Sequence, residues 1–333
     1  MVPWTDDRRG QRRVKDSPEE RAVEPTPTRP WVRWVHVLVS LVGVALAVAV
    51  PARLGMGKVL EAVRPALAVL PLCFGCELLR VCCEAGATRL ALGRKVPWGP
   101  MTLAHLASYA VSTVFPAPRP AAEAVKTTIL GEHVGVPEAA SAGGTLQAAT
   151  FFSVGAVCGL AGLTCLGTRL SLALFINSGL LLAMGVLLRG LMRSTRLTAF
   201  LGRRWPKRRA TLERLHAASL QGHIFAFGPT ACLVLSLSVR VFEQYFIIRA
   251  MGAKPSVTGA LTAEGVRLLG ASFGVLVPGQ MGVREAVFAL SAEALHTTEA
   301  AATANALFTH LVELSLALVG FVALAVWRLR RSR

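Results

Sequence analysis

The chain has 333 residues, is 53% hydrophobic with a mean hydropathy of +0.52, and is only 17% charged. Its 36 Lys and Arg against 19 Asp and Glu leave a formal charge of +17. High hydropathy with this basic excess specifies a polytopic membrane protein with basic flanks. It excludes a large soluble catalytic domain and a nucleic-acid-binding protein, which would be basic without repeated apolar runs near ~20 residues.

Residues 1–30 are polar, with Pro18, Pro25, Pro27 and Pro30 among mixed charges, and read as a disordered cytoplasmic arm. The first apolar run, residues 31–50, opens on Trp31 and Trp34 and reads as a retained anchor. A second covers residues 64–92. Residues 151–166, with a polar lead-in from Ser141, and residues 169–188 follow, and residues 229–250 and 300–327 complete six long helices. Residues 31–327 therefore form a single transmembrane domain.

Four segments carry the whole charge excess: residues 1–33, residues 89–95, a basic loop at 189–214, and the tail 328–333. Short basic segments beside spans stay in the cytoplasm. Both termini are accordingly expected there, with the protein in the cell inner (plasma) membrane.

Two regions depart from this pattern. Residues 101–115 stop at Pro116, Pro118, Arg119 and Pro120, with a shorter run at 121–130; residues 257–277 stop at Pro278-Gly279, with a run at 283–295. Residues 101–115, 121–130 and 283–295 all fall short of the ~20 residues of an uninterrupted span. Both regions read as proline-broken helical hairpins, the alternative being that both short pairs cross fully. Parity between the basic anchors makes the first hairpin open to the cytoplasm and the second to the outside.

At an offset of 162, Pro116 aligns with Pro278, Glu123 with Glu285, Ala124 with Ala286 and Val125 with Val287. The halves, residues 31–166 and 167–327, then form an inverted repeat. The expected fold is an all-α polytopic membrane protein of six long helices and two hairpins. Inverted repeats with broken helices place a transport site at the repeat interface.

The segment from Pro278 to Ala286, with Gly282 and Glu285, resembles the Pro-x-x-x-Gly-x-x-Glu pattern of the lysylphosphatidylglycerol synthase transmembrane (flippase-like) family. The first-half pattern, Asn-x-x-x-Pro then Gly-Glu-x-x-Arg, falls on Ser112, Pro116, Ala122, Glu123 and Lys126. Three of those five positions differ from the family, and Lys126 keeps the charge. The resemblance implies translocation of a phospholipid or lipid-linked headgroup between leaflets by alternating access. Because the chain ends six residues after Trp327, it implies a stand-alone membrane domain without the synthase.

Candidate substrate-binding residues are Pro116, Arg119, Glu123 and Lys126 of the first hairpin, Pro278, Gly279, Gly282, Arg284 and Glu285 of the second, and Glu313 of the last helix. Arginine and lysine suit a lipid phosphate, amides after Gly282 favour an anion, and intramembrane carboxylates suit a cationic headgroup or a proton. Glu77/Arg80 and Arg240/Glu243, each spaced three apart, read as same-helix pairs. His310 shares a helix face with Glu313, and His105 and Tyr109 lie one turn apart. The seven cysteines, including Cys73 and Cys76, read as packing residues.

No HExxH or Walker A pattern occurs, and no catalytic residue, metal or cofactor is expected. A membrane enzyme acting on lipid-linked sugars or phosphates would have only Glu123, Glu285, Glu264 and His133 to work with. A third reading is a scaffold that recruits partners through the run from Arg203 to Arg209. Expected partners are membrane lipids with an anionic or lipid-linked headgroup, and a second copy or another membrane protein, without nucleic acid.

Overall fold

A computed structural model of the protein describes residues 49–93, 95–114, 118–220, 225–275 and 277–331. The arm and nearly all of the first apolar run lie outside these residues, as does Pro116. Among the described residues every regular element is helical. Five stretches are long and apolar enough to cross a membrane: Met56–Ala91, Val136–Thr164, Arg169–Met192, Phe227–Ala250 and Glu299–Leu329.

The first stretch comprises α1 (Met56–Val63) and α2 (Leu70–Ala91), joined by a 3-10 turn, Arg64–Val69. Pro65 and Pro71 at the starts of the turn and of α2 lack the amide that would continue an α-helical ladder. Next come α3 (Trp98–Val114) and α4 (Pro118–Val134), the limbs of the first hairpin. They have 17 residues each, which gives roughly 26 Å at 1.5 Å per residue, just short of a ~30 Å hydrocarbon core.

Gly135, at φ +92°, is the sole residue between α4 and α5 (Val136–Thr164). The polar lead-in from Ser141 is thus part of one long helix. α6 (Arg169–Met192) begins at Thr168, whose hydroxyl accepts the Ser171 amide at 3.1 Å. α5 and α6 pack through small residues. A Cβ at Gly155 or Gly162 would meet Leu182 or Phe175 within 2.9–3.1 Å, and Ser178 donates to the Gly155 carbonyl at 2.7 Å. Close backbone approach through glycine is the membrane solution to helix packing.

The segment expected as a basic loop is folded: α7 (Thr195–Arg204), a 3-10 turn, Pro206–Arg208, and α8 (Arg209–Ser219). Ser219 ties α8 back to α6 by donating to the Met192 carbonyl at 2.8 Å. Arg203, Arg204, Lys207 and Arg208 are exposed. Arg189 is not: it is 1% exposed and donates to Thr145 at 2.8 Å.

α9 (Phe227–Ala250) packs along α2, and α10 (Val257–Phe273) and α11 (Val283–Leu290) form the second hairpin. Its second limb ends at Leu290 instead of 295. Eight residues span roughly 12 Å, far too short to cross a bilayer. α12 (Glu299–Arg331) closes the chain. It lies against α3, where a Cβ at Gly320 would reach 2.9 Å from the Ala110 Cβ. Correspondingly, α5 lies against α10, where a Cβ at Gly265 would be 2.5 Å from Ala161. The last helix of each half thus packs on the first limb of the other half's hairpin.

Candidate functional site: an arginine cavity where the two helix breaks meet

Leu, Ile, Val and Phe face outward along the long helices, as lipid contact requires. Charge is instead gathered inside. Glu77, Arg80, Arg240, Glu243, Glu264, Arg267, Arg284, Glu285 and Glu313 are all buried. Buried ions persist only when paired; here Glu264 and Arg267 pair with each other, and the rest form one chain across four helices.

Arg240 of α9 reaches Glu77 of α2 at 3.0 Å and Glu313 of α12 at 2.9 Å, but its own helix neighbour Glu243 only at 3.6 Å. The other Glu313 oxygen accepts from Arg284 of α11 at 2.7 Å. Glu77 also accepts from Arg80 at 3.0 Å, and Arg80 pairs with Glu84 one turn on. Arg267 and Glu264 pair within α10 at 2.7 Å.

The break after α10 brings Arg284 into this chain. Gly279 and Gly282 have positive φ, and so does Gln280 at +58°. A left-handed non-glycine residue is strained and persists only where its surroundings hold it. Gln280 is held by Arg284, whose Nε donates to its Oε1 at 2.7 Å. A Cβ on Gly279 would lie 3.4 Å from the Thr113 carbonyl, at the end of α3. The end of α3 therefore touches the second break.

At that meeting point is a cavity of about 300 Å³. Ser112 and Thr113 from the end of α3 and Gly279, Gln280 and Met281 from the second break line it, together with Tyr109, His310 and Glu313. Arg80, Arg240, Arg267 and Arg284 supply four guanidinium groups to its wall. Each is also paired with a carboxylate, of which only Glu313 lines the cavity; guanidinium groups in general suit anions with several oxygens. Arg80 also stacks over Tyr109, 5.3 Å from the ring centroid.

Residues 34–320 match the family described as lysylphosphatidylglycerol synthase TM region. The chain belongs to this family. No curated protein and no solved structure matches it. The family and the five apolar helices make it a multi-pass membrane protein of a lipid-related, flippase-like class.

Of the residues singled out in the sequence of this family member, Gly279, Arg284 and Glu313 line the cavity. Glu285 does not. Its carboxylate turns back to accept the Gly282 amide at 2.7 Å and lies 3.3 Å from His310. The helix start expected to favour an external anion thus has a carboxylate of its own, and Arg284 is the group left facing the cavity. Glu123 and Lys126 pair with each other and line a separate cavity. Pro116 and the side chains of Arg119 and Pro278 lie outside the described residues.

Glu84 and Arg267 are not singled out in the sequence, and Glu264 enters there only as an acid for the enzyme alternative. Their signal was available: Glu264 and Arg267 are charges in the middle of an apolar limb, which is costly in a membrane unless used.

Proposed function

We propose that this protein is a translocase that moves a phospholipid or lipid-linked headgroup between membrane leaflets by alternating access, with the headgroup phosphate passing through the arginine cavity. The observation that carries the reading is the convergence of four guanidinium groups on a cavity bounded by the end of α3 and by the second break. Two features support it further. The breaks belong to two hairpins, and the last helix of each half packs on the other half's hairpin, as an inverted repeat requires. The paired charges form a network that exposure to either side can rearrange without leaving an ion unpaired in hydrocarbon.

In this reading Arg284 and Glu313 are the central contacts. Glu285 holds the start of α11 through the Gly282 amide and positions Arg284 next to it. The basic helices α7 and α8 lie on the cytoplasmic side of the inner membrane, and both termini are cytoplasmic.

The test is reconstitution into vesicles with a headgroup-labelled phospholipid whose outer-leaflet fraction is quenched by a membrane-impermeant reductant. Arg284→Ala and Glu285→Gln are expected to slow translocation, with Arg284→Ala the more severe. Unchanged rates in both variants would overturn the assignment.

A further inference from the structure

The buried network has more carboxyl groups than cations. Glu77, Glu84, Glu243, Glu285 and Glu313 stand against the guanidinium groups of Arg80, Arg240 and Arg284. His310 lies between Glu285 and Glu313, at 3.3 and 3.7 Å, and counts as a further cation when both its nitrogens carry protons. His105 does not add another. The Thr88 hydroxyl already donates to the Glu84 carbonyl at 3.0 Å, so it accepts from His105 Nε2 at 2.7 Å, a bond the neutral imidazole provides. Nδ1 of His105 is 3.8 Å from Glu84, beyond hydrogen-bond reach. Glu264 with Arg267, and Glu123 with Lys126, balance within themselves. One carboxyl group is left over, and an unbalanced charge at this depth is costly. A proton on one of the five removes it.

Glu243 has the least to hold its charge. It is 0% exposed, and neither of its oxygens has a hydrogen-bond partner among the described residues. Arg240 Nη1 is 3.6 Å away, and Glu77 Oε1 takes that same nitrogen at 3.0 Å. Two carboxyl groups on one cation do not both ionise readily. Glu77 Oε1 also lacks a hydrogen bond, so a proton on Glu243 both cancels a charge and supplies Glu77 with a donor. Glu84, by contrast, is partly exposed and has Arg80.

The groups facing Glu243 agree with this. Glu77 and the thiols of Cys73 and Cys76 face it from α2, Glu313 from α12, and Arg240 from its own helix. Of the other elements packed on α9, α10 carries the balanced Glu264–Arg267 pair and α5 carries Glu138, in its first turn, and Cys158. The 3-10 turn before α2 carries Arg64, which is exposed.

We propose that Glu243 is a proton carrier that couples translocation to proton movement, so that a proton and an anionic headgroup are bound together on one side and released together on the other. The movement rests on the translocase reading; the protonated carboxyl group does not. Protonated Glu243 makes no claim on Arg240, which lines the arginine cavity and is then available to a phosphate oxygen. When the proton passes to water on the release side, Glu243 and Glu77 both draw Arg240, and its hold on the phosphate weakens. By linkage, the anion tightens the proton by the same factor. One proton accompanies one singly charged anion, and the pair crosses without net charge.

The experiment uses the full chain in sealed vesicles with headgroup-labelled phosphatidylethanolamine, whose labelled amine leaves the phosphate as its only charge. A pH gradient is imposed, and a membrane-impermeant reductant reads the leaflet ratio once it is steady. Label should accumulate about tenfold per unit of gradient in the leaflet facing the more alkaline compartment. A membrane potential alone should not move it. Glu243→Gln keeps the shape but has no proton to release, and should leave the leaflets even at every gradient. Infrared spectroscopy of the same vesicles gives a check that needs no transport: the carbonyl band of a protonated carboxyl group should be present in the parent protein and lost in Glu243→Gln. A band that persists in the variant overturns the assignment of the proton to Glu243. Translocation by the parent that leaves the label even under a gradient overturns the coupling and spares the translocase reading. No translocation at all, with the band lost in Glu243→Gln, sinks the translocase reading and leaves the buried proton in place.

Discussion

Arg240 of α9 and Glu313 of α12, 73 positions apart in sequence, meet at 2.9 Å inside the protein, and the second oxygen of the same carboxylate takes Arg284 at 2.7 Å. Glu313 is thus the shared anion of two arginines from different helices, one of which belongs to a hairpin. Removing it leaves Arg284 without its carboxylate, while Arg240 keeps Glu77 and Glu243. Breaking a buried pair costs about 3–5 kcal/mol because the abandoned charge stays buried. Glu313→Ala is expected to lower the melting temperature of the detergent-solubilised protein by many degrees, and Glu313→Gln by less. A melting curve unchanged in Glu313→Ala would show that the two arginines find other partners and that the network is not what holds α11.

Gly320 and Gly179 give opposite expectations for the same substitution. At Gly320 a methyl group would press on Ala110 of α3, its Cβ 2.9 Å away. Forcing a carbon into a packed helix contact costs about 1–3 kcal/mol, so Gly320→Ala should be destabilising. At Gly179 nothing lies within 4 Å of the added carbon. There the better helix propensity of alanine should stabilise α6 by about 0.5–1 kcal/mol. Thermal unfolding followed by size-exclusion chromatography separates the two, and equal shifts would refute the close packing of α12 on α3.

Five of the six expected long helices and the interruptions of both hairpins were legible because each has a one-dimensional signature: an apolar run, or a proline or glycine that interrupts it. The polar interior was legible only in part. Spacing alone pairs Arg240 with Glu243, three residues on, but a spacing rule sees one helix at a time. The nearer partners of Arg240, Glu77 and Glu313, lie on helices far away in sequence. The basic segment reads as a loop from its charge. Its folding as helices was nonetheless foreshadowed by Leu197, Phe200 and Leu201, spaced three and four apart as on one helix face. Arg189 could not have been separated from the rest of that segment, because only the Thr145 hydroxyl of a neighbouring helix shows that it is buried.

The placement of the basic helices on one face, with the α9–α10 turn on the other, has a direct check. Arg208 is exposed on the 3-10 turn between α7 and α8, and Lys254 is exposed between α9 and α10. α9 runs its full 24 residues between these ends, enough to cross the bilayer. In a chain whose own cysteines are replaced, Arg208→Cys and Lys254→Cys should react with a membrane-impermeant maleimide from opposite sides of sealed vesicles. Reaction of both from the same side would mean that α9 does not span.

Gln280 offers a test that sets stability against function. Its φ of +58° is a strained conformation for a residue with a side chain, costing of order 1 kcal/mol or more. Its amide oxygen nevertheless fixes Arg284 through the 2.7 Å bond from Nε. Gln280→Gly relieves the backbone and frees the guanidinium at once. The expected result is a melting temperature equal to or above that of the parent protein, with translocation slowed because Arg284 is no longer aimed into the cavity. Gln280→Ala keeps the strain, lacks the amide, and should lose on both counts. If Gln280→Gly translocates at the parental rate, the strained residue has no part in positioning Arg284.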